Sequence, residues 1–142
     1  MASNFFDPAR AGFANAEIDW DGAVIKATLL RGYNFNAAHQ YVSQIDAAGG
    51  TRWTGPQTLT SKDATAGVLD AADISFPAVT AGTAYSAILI YQASAVGGGS
   101  DVATTAQRLI CFIDTATGLP VTPNGQAINV QFDNGVNKIG KL

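Results

Sequence analysis

Bond-making chemistry requires polar groups with tuned proton affinities brought to one place, and this sequence offers few of them. It contains one histidine, His39, and one cysteine, Cys111. Any Ser-His-Asp or Cys-His arrangement must therefore use His39. That residue follows Ala37-Ala38, beside the apolar stripe of an expected helix and without a flanking nucleophile. A structural position on or just under a helix surface is the simpler expectation, and no catalytic residue is assigned. Cys111 lies inside Leu109-Ile110-Cys111-Phe112-Ile113. A thiol in such a run behaves as a small buried hydrophobe, and a lone cysteine has no intramolecular disulfide partner. Zinc sites take several Cys or His ligands, so one of each, far apart in sequence, supplies none. No metal or cofactor is expected.

The carboxylates give little more. Asp19 and Asp21 flank Trp20, Asp70 and Asp73 bracket two alanines, and Glu17 is the one glutamate. Calcium loops need five or more oxygen ligands, usually from a dense Asp/Asn run closed by Glu. Turn and edge carboxylates are the expectation here. A glycosidase pair is matched in space and not in sequence, so it stays open, with nothing pointing to it. Gly97-Gly98-Gly99-Ser100-Asp101 lacks the Lys-Ser/Thr and the following helix of a phosphate loop. Trp20, Tyr33, Phe35, Tyr41 and Trp53 could line a sugar or protein site, although such residues more often serve as core or interface anchors. Trp53, in the loop after the best expected helix, is the preferred interface anchor, together with Phe5 and Phe6 near the N-terminus.

Length and composition constrain what must position these groups. The 142 residues amount to one domain, spanning 1–142. A chain of this size can hide roughly two thirds of its unfolded surface without disulfides or metal. Hydrophobic residues at 47% exclude a disordered tail. Charged residues are only 13%, about half the usual ~25%. Thr, Ser, Asn, Ala and Gly take their place, which gives a neutral polar surface that loses little on packing against a partner. The net charge is −3 and the eight basic residues are scattered from Arg10 to Lys141. Counterion release from phosphate needs clustered positive charge, so nucleic acid is not an expected partner. No apolar run approaches membrane-spanning length, and residues 1–7 carry neither the basic nor the apolar region of a signal peptide.

The elements read as mainly β. Asp7-Pro8 starts a short helix, with Asp7 as N-cap, ending at 12–15. Ile25, Ala27 and Leu29 alternate through a strand within 18–30 that is partly covered on both faces. Asn36 reads as a second N-cap, with Ala38, Tyr41, Val42 and Ile45 forming the stripe of an amphipathic helix that stops at Gly49-Gly50. Short strands follow at 58–60, 67–70, 74–76, 85–91 and 109–113. The 85–91 segment is apolar on both faces and should be central. Residues 97–101 read as a flexible hairpin loop, and residues 1–6 as a possible N-terminal arm. Finally, Ile128, Val130 and Phe132 alternate up to Asp133-Asn134-Gly135. A tight Asn-Gly hairpin there would set Val130 opposite Ile139. The expected architecture is an antiparallel β-sandwich or barrel-like domain with one or two short helices in the N-terminal third.

The stretch from Leu109 through Asp114-Thr115-Ala116-Thr117-Gly118-Leu119-Pro120-Val121-Thr122-Pro123-Asn124-Gly125, then Ile128-Asn129-Val130-Gln131-Phe132-Asp133-Asn134-Gly135 and Lys138-Ile139-Gly140-Lys141-Leu142, resembles small structural proteins encoded among the head genes of long-tailed double-stranded DNA bacteriophages. Asp7-Pro8, Ala37-Ala38-His39 and Gly67-Val68-Leu69-Asp70-Ala71-Ala72-Asp73 fit the same family, so the resemblance spans nearly the whole chain. It implies a virion protein: a capsid decoration, or cement, protein on the outer head surface. Its implied partners are the major capsid protein and copies of itself, as a homotrimer at threefold positions. These motifs are turns and strands without a catalytic signature, and the implied protein is not an enzyme. A tail, head-to-tail or fibre-base component is the alternative within the structural class. A host-glycan-binding module is the alternative outside it, and a depolymerase is disfavoured by the thin catalytic inventory.

Overall fold

The computed structural model describes residues 3–142; Met1 and Ala2, the first residues of the expected arm, lie outside the described residues. Strand accounts for 33% of the structure and helix for 12%, so the domain is mainly β, as its patterning implies. In chain order the elements begin with β1 (Asn4–Phe5), α1 (Asp7–Ala14), β2 (Ile25–Arg31), α2 (Val42–Ala47), β3 (Thr51–Arg52) and β4 (Gln57–Thr58). After one 3-10 turn come β5 (Val68–Leu69), β6 (Ile74–Phe76), β7 (Ala87–Gln92), β8 (Ser94–Ala95) and β9 (Gly98–Asp101). β10 (Arg108–Ile113), β11 (Ile128–Val130) and β12 (Gly140–Lys141) complete the domain.

One antiparallel sheet, ordered β1-β10-β7-β2-β3 with β4 also on β2, carries the core and does not close into a barrel. β7 and β10 have every residue buried, because both faces of the sheet are covered. Cross-strand partners share a face. Thr28, Leu89 and Phe112 align on one side, where Phe112 meets Phe35 and Tyr33 with ring centroids 5.4 and 5.8 Å apart. Leu29, Ile88 and Ile113 align on the other. There the short ladders β5–β12 and β6–β11 form a second, sandwich-like layer. Gly140 of β12 lies so close to Phe5 that an added Cβ would stand 2.4 Å from its ring.

Several local expectations shift. The first helix caps one residue earlier, on Phe6, with Asp7 in its first turn. The second begins at Val42 and not after Asn36. Asn36 Oδ1 closes a local turn by accepting the Ala38 N–H at 3.0 Å. Residues 40–41 then run extended along the edge of β10, where the Gln40 carbonyl accepts the Leu109 N–H at 2.9 Å. A backbone recruited into a sheet edge cannot also start a helix. Gln44 Oε1 caps the later start by accepting the Tyr41 N–H at 2.9 Å. Gly49, at φ +90°, provides the left-handed stop.

The C-terminal hairpin does not form. Val130 pairs with Ile74, and Gly140 with Leu69, so Val130 and Ile139 belong to different ladders. Neither Asn134 nor Gly135 takes the positive φ that a two-residue hairpin needs. Asp133 Oδ1 accepts the Gly135 N–H at 2.9 Å instead, and Asp73 Oδ1 accepts the Phe132 N–H at 2.9 Å, anchoring the chain toward β6. The glycine run also differs from a plain loop: Gly98–Asp101 is strand β9, paired back onto β8. Residues 4–6 are no arm. Phe5 pairs with Cys111, and the Phe6 N–H donates to the Ile110 carbonyl at 3.1 Å.

Candidate functional site

The histidine, the cysteine and several of the carboxylates singled out above are tied into the fold. His39 stands in the 36–39 turn and not on a helix. Its Nδ1 is 2.9 Å from Tyr33 Oη, which accepts the Asn36 N–H at 3.1 Å, and its Nε2 is 3.4 Å from Asn36 Nδ2. Burial holds the Tyr33 phenol above its ordinary value. The cluster staples the turn that covers Phe112 and presents no base toward a nucleophile.

The carboxylates serve as turn and strap residues. Asp19 Oδ1 accepts the Asp21 and Gly22 N–H groups at 3.1 and 2.9 Å. Asp70 holds Lys138 at 2.7 Å, and Asp63 accepts from Thr65 at both N–H and hydroxyl, which draws its carboxyl below the usual range. Glu17 reaches the buried Arg108 guanidinium at 2.8 Å. Gln92, buried between them, accepts the Asp19 N–H and donates to the Glu17 carbonyl. Among the described residues no group of three or more His, Cys, Asp or Glu converges as a metal site would require.

Cys111 is fully buried, and desolvation pushes its thiol up to about 12. The thiol should resist aromatic disulfide reagents in the native state and react within minutes of unfolding; fast native labelling would place it at the surface. The sign of its pH effect follows from the folded value lying above the unfolded one, near 9. Its contribution is fully present below pH 9 and is lost as pH rises toward 12. Urea midpoints measured from pH 8 to 11 should therefore fall less steeply for Cys111→Ala than for the parent chain.

The expected interface residues fare differently from their sequence reading. Phe5 and Phe6 are 5% and 0% exposed, so within this fold they are core residues and not surface anchors. Both occur next to the helix start because the chain must dive into the core before turning. Trp53 is half-buried. Its ring meets Phe76 edge-on at 5.4 Å and lies over Gly55, while its carbonyl accepts the Thr28 hydroxyl at 2.8 Å. It packs at the edge of the core. Trp53→Ala should cost about 1–3 kcal/mol in urea unfolding, less than a fully buried aromatic; an unchanged midpoint would return the ring to a purely surface role. Trp20 and Tyr33 are likewise buried, and Tyr41 lies under Arg108, its centroid 5.7 Å from the guanidinium carbon. These aromatics do not make an exposed sugar platform.

What sequence reasoning did not single out is a cleft of about 920 Å³ between residues 115–122 and 127–134. It reaches down to Leu29 and Ile88 of the main sheet, and Leu119, Val121 and Ile128 are half-buried in its walls. Thr117, Thr122, Asn124, Asn129 and Gln131 supply neutral polar groups. The signal available in the sequence was the long charge-free stretch from Thr115 to Gln131, where polar side chains are amides and hydroxyls alone.

The fold is mainly β and antiparallel, and the described lining of this cleft is apolar, hydroxyl and amide groups with one carboxylate, Asp133. No family model, curated protein or solved structure matches the chain. No helix among the described residues is long and apolar enough to cross a membrane.

Proposed function

We propose that this chain is a virion structural protein of a tailed bacteriophage, a decoration protein that binds the outer surface of the head and stabilises the shell. The observation that carries the reading is how the polar groups are used. The candidate acids, bases and nucleophile are held in turns, straps and core, while the surface of a chain with 13% charged residues is neutral and polar. Such a surface can be covered at low desolvation cost. The family resemblance of the Leu109–Gly125 stretch and the C-terminal residues supports the same assignment.

The mechanism is additive. A shell protein present in many copies bridges neighbouring subunits through repeated modest contacts, and multivalent attachment makes retention tight without any single strong contact. On this reading the partners are the major capsid protein and other copies of the chain, as a trimer with closed symmetry. Purified protein added to heads stripped of it should rebind and raise the temperature of DNA release by several degrees. Heads that neither bind it nor gain heat resistance, or particles carrying it only on their tails, would overturn the assignment.

A further inference from the structure

We infer that Asn134 is a site of spontaneous covalent modification: its carboxamide deamidates through a succinimide closed by the Gly135 main-chain nitrogen, while the fold protects the second Asn-Gly pair, Asn124-Gly125. Ring closure makes three demands on an asparagine. The next residue's nitrogen must reach Cγ, an approach that a side chain obstructs and glycine leaves open. The carboxamide must be free to turn toward that nitrogen, and the local backbone must be able to open. Of the chain's asparagines, Asn124 and Asn134 alone precede glycine. Both are exposed, so neither sequence nor exposure separates them. Hydrogen bonding does. Asn124 Oδ1 accepts the Gln126 N–H at 3.0 Å, which fixes the carboxamide. The Gly125 N–H donates to the Val79 carbonyl at 2.8 Å, and the Gln126 carbonyl accepts the Val79 N–H at 3.2 Å. Val79 is 1% exposed. Closure at Asn124 must therefore first undo a pair of main-chain bonds to the core.

The Asn134 turn has no such anchor. It lies between β11 and β12 and belongs to neither ladder. The Gly135 N–H donates at 2.9 Å to Asp133 Oδ1, a side-chain acceptor two residues back in the same turn. That bond is local, and releasing it disturbs no strand. The Asn134 carboxamide makes no hydrogen bond to another described residue. A base from solvent takes the Gly135 amide proton, and the nitrogen attacks Asn134 Cγ. The N–Cγ bond forms as the Cγ–Nδ2 bond breaks, and ammonia leaves with a proton from water. Water then opens the imide. Opening at Cγ restores the main chain with an aspartate at this position; opening at the main-chain carbonyl leaves an isoaspartyl link, one methylene longer in the backbone. One water is consumed and one ammonia released, with no oxidant or reductant. The Gly135 N–H is the first cause that holds the Asp133 carboxyl below the usual range, so a second carboxylate arises beside a charged one. The net charge moves from −3 to −4. Phe132, tied to Asp73 at 2.9 Å, and Ile139, tied to the Leu69 carbonyl at 3.0 Å, bound the change to this turn.

The test incubates the full folded chain in mildly alkaline buffer, beside the same chain unfolded in guanidinium chloride, and maps peptides by mass spectrometry over time. In the folded chain Asn134 should convert at least about ten times faster than Asn124. Part of the product should accept a methyl group from an isoaspartyl methyltransferase, the signature of the imide route. In the unfolded chain the two sites should convert at rates within about threefold of each other, because the bonds to Val79 are gone. Gly135→Ala should slow conversion of Asn134 by at least about tenfold. Its added Cβ would meet the Asp133 carboxylate oxygens at 3.3 Å, a flexible neighbour, so the variant should fold. If it does not, the ratio of the two sites in the parent chain decides. Equal rates at both sites in the folded chain or faster loss of Asn124 would overturn the inference. So would an intact Asn134 while the unfolded chain converts, a product free of isoaspartate, or a folded Gly135→Ala that converts as fast as its parent.

Discussion

Replacing Phe6 with Ala should lower unfolding free energy by about 3–5 kcal/mol and the melting temperature by about 10–20 °C, equally at low and high protein concentration. The side chain is fully buried, and its ring packs against Phe35 with centroids 5.0 Å apart, which links the N-terminal segment to the face of the main sheet that carries Phe112. Truncation removes apolar transfer energy and leaves a cavity that the joined β1–α1 corner cannot easily collapse, because the Phe6 N–H remains tied to Ile110 and the Asp7 N–H to Ala37. Natural domains hold only about 5–15 kcal/mol in total, so this one change approaches the margin. Concentration independence is the informative part. An interface residue would lose assembly and keep monomer stability, and that outcome would show that Phe6 leaves the core in the working state.

The second large effect concerns Glu17 and Arg108. Arg108 emerges from β10 with its side chain 10% exposed; its guanidinium donates to the Pro8 carbonyl at 3.2 Å and meets Glu17 at 2.8 Å. Its Nε is buried without a hydrogen-bond partner. Removing the carboxylate leaves that cation in the interior uncompensated, a loss of about 3–5 kcal/mol for a fully buried pair. The Glu17 side chain is 49% exposed, so solvent screening reduces the expected loss in Glu17→Ala to about 1–3 kcal/mol. Arg108→Met should cost less than Glu17→Ala, since it removes the buried charge and the orphaned Nε together and keeps an unbranched apolar stem under α1. Urea unfolding of the two single variants and the double variant would measure this. A loss in Arg108→Met exceeding that in Glu17→Ala would mean that the guanidinium is a net stabiliser through its contacts with Pro8 and Tyr41.

These effects share an origin with the functional reading. Charge is scarce in this chain, and several of its charged groups strap segments together, as Glu17 with Arg108 and Asp70 with Lys138, or close turns. Hydroxyl and amide side chains line the cleft beside β11 together with Asp133.

How much of this was legible from residues alone can be judged element by element. The alternation around Ile25–Arg31 and the two-sided apolar runs of β7 and β10 announced a covered central sheet, because strand periodicity is a local property of side chains. Cys111 inside such a run was legibly inert for the same reason. The Gly49 stop was equally local, being a matter of backbone sterics. Pairing was not local. Asn134-Gly135 favours a hairpin in isolation, yet Asp73, 59 residues upstream of Phe132, takes its N–H and β6 offers Ile74 and Phe76 as partners. Asn36 is a competent cap, but the edge of β10 claims residues 40–41 first. Phe5, Phe6 and Trp53 read from the sequence as interface anchors, yet Phe5 and Phe6 are core, since which face of an aromatic meets water depends on what packs above it. Residue order determined that this chain would bury a β sheet beneath a charge-poor surface; tertiary contacts alone decided which strands pair, because hydrogen bonds between distant segments compete directly with the local turns that the sequence advertises.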